Sequence, residues 1–132
     1  MPIPTEILQT LTCVQIAIEA MDTRFSPADS GPFQLPAVMA PAAWGIAPGL
    51  IPAEDAQEKD CEELDKRLRQ AGIQMIPAQF MNGSRIVEGR LLLGTTRERA
   101  IRLGYKLGEW ALFHLSDSGV NVVYTGFNSR AR

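Results

Sequence analysis

Two periodicities divide the chain. Gln57, Cys61, Leu64, Leu68 and Ala71 recur at spacings of three and four, which predicts an amphipathic helix over 53–71. Pro52 opens it and Gly72 ends it. Its charge order suits the macrodipole, with Glu54, Asp55 and Glu58 first and Lys66, Arg67 and Arg69 last. Glu62 with Lys66, Glu63 with Arg67 and Asp65 with Arg69 are favourably oriented pairs one turn apart. Ile73 to Phe80 and Arg85 to Leu93 read instead as strands, joined through Asn82 and Gly83 as a hairpin. Thr95 and Glu98 form a capping box for a helix to Leu107, which Gly108 ends. Trp110 to Ser116 and Val120 to Phe127 flank Asp117, Ser118 and Gly119 as a second hairpin, leaving 128–132 as a frayed tail.

Two segments carry competing signals. Ile7, Leu8, Leu11, Val14, Ile18 and Met21 follow Thr5 and Glu6 at helical spacing, so a helix is expected over 5–21. The alternation of Val14, Ile16 and Ile18 would make its second half a strand. Six prolines punctuate 27–52, and within that stretch a strand is expected over 37–44, with Pro41 awkward inside it. The resulting order, α, β, α, β, β, α, β, β, centres on a β-α-β-β-α-β run. The fold class expected is α+β, a ferredoxin-like split βαβ core with an extra N-terminal helix and an extra C-terminal strand. One face of such a sheet lies under the helices, which assigns Val87, Leu91, Leu93, Ala111, Phe113 and Leu115 to it.

At 132 residues the chain has the size of one domain, 1–132, with its core over about 37–127. A net charge of −2 and a pI near 5.4 supply no field for nucleic acid or anionic lipid. No apolar stretch reaches membrane length and no secretory leader opens the chain, so a cytoplasmic protein is expected. Cys13 and Cys61 lack partners at metal-ligand spacing and read as reduced thiols. A zinc site from these two with His114 lacks a fourth ligand, and no cofactor is expected.

The residues that could carry chemistry are few. Glu88 and Arg90 share the strand face opposite Val87 and Leu91, as an acid beside an anion clamp or as a solvated charge pair. Trp44, before Gly45, could stack on a ligand or close the core. Glu109, between Gly108 and Trp110, could point across the sheet end or lie in an exposed loop. His114 shares its strand face with Leu112 and Ser116, and a lone histidine there reads as structural. Arg97, Arg99, Arg102 and Lys106 make one helix basic, whereas seven acids from Glu54 to Asp65 make the other acidic. Complementary docking with a partner or a second copy follows, and the latter would be a homodimer. No nucleophile elbow, phosphate loop or dinucleotide fingerprint is present.

Ala43, Trp44 and Gly45 before a proline-containing turn, the acidic amphipathic helix, Glu88 on its strand and Ala100 to Phe113 together resemble domain-of-unknown-function family 3293 of small bacterial proteins. The likeness spans about 37–125. Gly45 stands where the family has asparagine, and Glu109 where it has glutamine. The family brings no activity; the resemblance implies only that Trp44, Glu88 and Glu109 matter. The function expected is a non-catalytic interaction or regulatory module, an inhibitor among its forms, that binds a protein partner or small ligand. The alternative is a metal-independent enzyme using Glu88 or Glu109 as acid or base on an anionic substrate held by Arg90.

Overall fold

Alternation governs this chain more than helical periodicity does. The computed structural model describes residues 9, 11–18, 24–27, 37–39, 41–48, 50, 61–82 and 85–126. Its strands are β1 (Gln15–Ile18), β2 (Arg24–Phe25), β3 (Ala42–Ile46), β4 (Gln74–Asn82), β5 (Arg85–Leu93), β6 (Ala111–Ser116) and β7 (Gly119–Tyr124), and its α-helices are α1 (Glu62–Ala71) and α2 (Arg97–Lys106). A 3-10 turn covers Ala37–Met39. All seven strands form one sheet in the order β2-β1-β4-β5-β3-β6-β7, every neighbour antiparallel.

The ferredoxin-like expectation is corrected at this point. Strand, helix, strand, strand, helix, strand do follow one another from β3 to β6, but the described residues are mostly a curled, nearly barrel-shaped seven-stranded antiparallel sheet, with α1 and α2 packed on it. A direct sign of the curl is the contact between Phe80 on β4 and Phe113 on β6, whose ring centroids are 5.6 Å apart. Two strands lie between them, so a flat sheet would hold β4 and β6 roughly 14 Å apart. The concave face collects Ile16, Phe25, Phe80, Leu91, Phe113 and Val120 into one core. Both faces are therefore buried, where one buried face was expected.

The helices also cover the other face from the one expected. Leu64 and Leu68 of α1 and Ala100 of α2 pack on Trp44, Ile46, Leu92 and Leu112. Val87, Leu91, Phe113 and Leu115 turn away from them into the concave core. Gly104 sets the depth of α2: a Cβ there would stand 2.9 Å from side-chain atoms of both Leu112 and Thr125.

Three local expectations change with the fold. The helix over 5–21 gives way to strand β1 in its second half, because Ile16 and Ile18 fill the concave core while Gln15 faces water; Gln9, Leu11 and Thr12 are helical. The strand over 37–44 shifts to Ala42–Ile46, beyond Pro41, whose ring and missing donor suit the approach to a ladder better than its interior. The second helix is capped by Thr96, not Thr95: the Thr96 hydroxyl accepts from the Arg99 N–H at 3.3 Å. For the first helix, 53–60 lie outside the described residues; Glu62–Ala71 is helical and Gly72 ends it with φ 68°. Both hairpins form where expected, with nine cross-strand pairs from Gln74↔Leu93 to Asn82↔Arg85 in the first.

Candidate anion-binding groove

Four of the residues singled out in the sequence serve the fold. Trp44 is 4% exposed and stacks on His114 at 4.4 Å with a 43° tilt. Arg90, its side chain 13% exposed, grips Asp65 of α1 with two hydrogen bonds, Nε to Oδ1 at 3.0 Å and Nη2 to Oδ2 at 3.1 Å. A third goes from Nη1 to the Gly89 carbonyl at 2.9 Å. Burial opposes the charge on Arg90 most strongly, but the Asp65 bonds and nearby negative groups outweigh it and push its pKa further up. Arg90 is thus a strut between β5 and α1, its fork already filled.

Glu88 shares that face as alternation requires, 4.0 Å from Arg90 Nη1, and is largely open to water. Glu109 lies elsewhere, buried between the end of α2 and the start of β6. Its N–H donates to the Gly104 carbonyl at 2.9 Å and its carbonyl accepts from the Thr125 hydroxyl. The fold joins Glu88 to Arg90 and leaves Glu109 with α2 and the strand after it. Cys61, buried at the N-terminus of α1, donates from Sγ to the Glu88 carbonyl at 3.4 Å. Neither cysteine is in a disulfide, and among the described residues no three of His, Cys, Asp and Glu gather as a metal set.

The basic residues come together instead. Arg99, Arg102 and Lys106 recur at spacings of three and four on α2, so they line one side of it. That side faces the last turns of α1, and a groove of about 270 Å³ runs between the helices. Arg67 and Gln70 form the opposite wall, and Ile73 and Leu103 add apolar surface. Arg67 is partly satisfied by Glu63 at 2.9 Å. Among the described residues, Arg99, Arg102 and Lys106 make no ion pair. No carboxylate among the described residues lines the groove.

Arg97, Arg99 and Arg102 were legible as a basic helix, but only Arg99 and Arg102 reach the groove. Arg97 lies near His114, whose pKa is lowered by burial first and by the Arg97 charge second. Lys106, read with these arginines as part of the basic helix, lines the groove too, whereas Arg67 and Gln70 were missed as site residues. Arg67 reads in the sequence as half of a helix pair with Glu63, and only the packing of α1 beside α2 gives it a second neighbourhood. No protein-family model matches the chain, and comparison with curated proteins and with solved structures finds no match.

Proposed function

We propose that this protein is a non-catalytic interaction module that binds an anionic partner, protein or small ligand, through the groove between α1 and α2. The observation that carries the reading is the convergence of Arg67, Arg99, Arg102 and Lys106 on a groove with no carboxylate in its wall among the described residues. Four cations so placed repel one another, and an anion that enters relieves the repulsion and forms charge-assisted bonds. The overall charge of −2 confines this attraction to a patch, which favours a partner of matching shape over general affinity for polyanions. An inhibitor is one form such a module takes. Two thiols outside any disulfide fit a reducing cytoplasm.

Catalysis by Glu88 or Glu109 has less behind it. Arg90, the anion clamp that mechanism needs, is committed to Asp65. The two carboxylates also belong to different elements, one exposed and one buried.

Titration of the isotope-labelled chain with tripolyphosphate and with polyglutamate, followed by NMR, tests the binding reading. Perturbed amides should cluster at Arg67, Gln70, Ile73, Leu103 and Lys106. They should fade as salt shortens the Debye length to about 3 Å at 1 M. The double variant Arg99→Glu/Arg102→Glu should abolish them. Perturbations spread evenly over the surface, or unchanged in that variant, would reject the groove.

A further inference from the structure

Ile73 belongs to more than this groove. That residue also lines a second cleft, of about 390 Å³, on the other side of the last turn of α1. Leu68, Met75 and Leu93 make this second cleft largely apolar, with Asp65, Arg69 and Gln74 among the residues around it; Asp65 is already held by Arg90. Met75 is 36% exposed there, a large hydrophobic side chain left at the surface. The two clefts share Ile73 beside the C-terminus of α1, one a cationic arm and the other an apolar arm.

Resting on the reading of the groove as an anion site, we propose that its partner is an acidic peptide of another protein carrying one apolar anchor residue. The peptide's carboxylates meet Arg99, Arg102 and Lys106, and its anchor enters the cleft beside Met75. The two arms ask for two chemistries in one ligand, negative charge and a hydrophobic side chain a short distance apart, and an acidic amphipathic segment supplies both. Nucleic acid fits less well, since single strands are held by stacking bases on aromatic rings and, among the described residues, neither cleft has an aromatic one in its lining. Charge complementarity favours the peptide at the cationic arm, which offers guanidinium forks that bind carboxylates two bonds at a time.

Selection of a displayed random-peptide library on the intact chain tests this, followed by fluorescence anisotropy with the enriched peptide. Enriched sequences should share acidic residues and a Leu, Ile or Phe at fixed spacing. Replacing that anchor by Ala should weaken binding about tenfold. Arg99→Glu/Arg102→Glu should weaken it by more than about tenfold. Met75→Glu, at an exposed position that the core does not need, should weaken only peptides that keep the anchor. Acidic peptides indifferent to both the anchor and Met75→Glu would overturn the two-armed site while leaving the anionic groove standing. A library without any groove-dependent binder overturns the proposal; if tripolyphosphate and polyglutamate also fail to perturb the groove, the anion site falls with it. Tighter binding of a single-stranded oligonucleotide of equal charge overturns the peptide class. So does a chain that is dimeric in light scattering and is made monomeric by Arg99→Glu/Arg102→Glu, because a second copy then occupies the groove.

Discussion

Phe80 crosses the backbone of two strands to reach Phe113, and it can do so because the positions beneath it are glycines. A Cβ at Gly89 would lie 2.4 Å from the Ile46 carbonyl oxygen and 2.5 Å from the Phe80 ring. One at Gly45 would meet only side chains, the nearest at 3.0 Å. Gly89→Ala should therefore destabilise the protein by about 1–3 kcal/mol or more, the range for overpacking a dense core. Gly45→Ala should cost less, and urea midpoints of the two variants would rank them. Strand alternation made Glu88 and Arg90 legible on one side and Val87 and Leu91 on the other. It could not show why Gly89 stands between them, since the reason is a ring from β4 and a carbonyl from β3. A second residue-scale expectation concerns pH. Burial and Arg97 hold the His114 pKa below its ordinary 6.5, so between the two values the unfolded chain binds more protons than the folded one. Stability should thus be fullest above about 6.5 and fall as acid takes the protein down through the folded pKa. His114→Gln should flatten that fall in unfolding curves recorded from neutral to mildly acidic pH.

At the scale of the element, α2 shows where a start signal was read one residue early. Thr95 and Thr96 are both plausible caps in the sequence, and Glu98 favoured the first. In the fold the Thr96 hydroxyl takes the Arg99 N–H, whereas the Thr95 hydroxyl is buried without a hydrogen-bond partner. Opposite outcomes follow from replacing them. Thr96→Ala should cost about 1 kcal/mol through the lost cap. Thr95→Val, which keeps the shape and removes an unsatisfied hydroxyl, should be neutral or stabilising by up to about 1 kcal/mol. Thermal unfolding of the pair would show whether the caps are assigned correctly. The clear periodicity of Leu64 and Leu68 was enough to place α1, and the alternation around Asn82 was enough to place the long hairpin. The N-terminal segment was not decidable that way, because Val14 and Ile18 satisfy both periods. What separates them is Ile16, whose burial against the concave core is a property of strands not yet folded around it.

For the whole molecule, pattern reading gave the strands and helices of the second half but not the curvature that joins them. Curvature follows from which strands are neighbours, and the order of neighbours is decided by long-range packing. The groove was half legible for the same reason: a cationic helix is a local fact, and the wall that faces it is not. The two faces of the sheet were separated correctly along β5 and β6, yet the helices cover the face carrying Leu92 and Leu112. The opposite face closes on itself, with Leu11 and Met39 adding to the core it encloses.

The position of β3 sets how fast such a sheet can form. Its neighbours in the chain are not its neighbours in the sheet, since Gly45 lies between Leu91 on one side and Phe113 on the other. The hairpins β4–β5 and β6–β7 close short loops and can form early, but their union waits for a distant strand to slot between them. Refolding should be slow for a chain of this size, on the millisecond to second scale usual for topologies rich in non-local pairs. Trp44, in the middle of the strand that must insert, is a built-in reporter of that step. Stopped-flow fluorescence should follow β3 as it enters, and a microsecond recovery of the native signal would mean that the sheet assembles around β3 from the start. Until it enters, two hairpins with unsatisfied inner edges coexist in solution, and the yield of refolded protein should drop as its concentration rises.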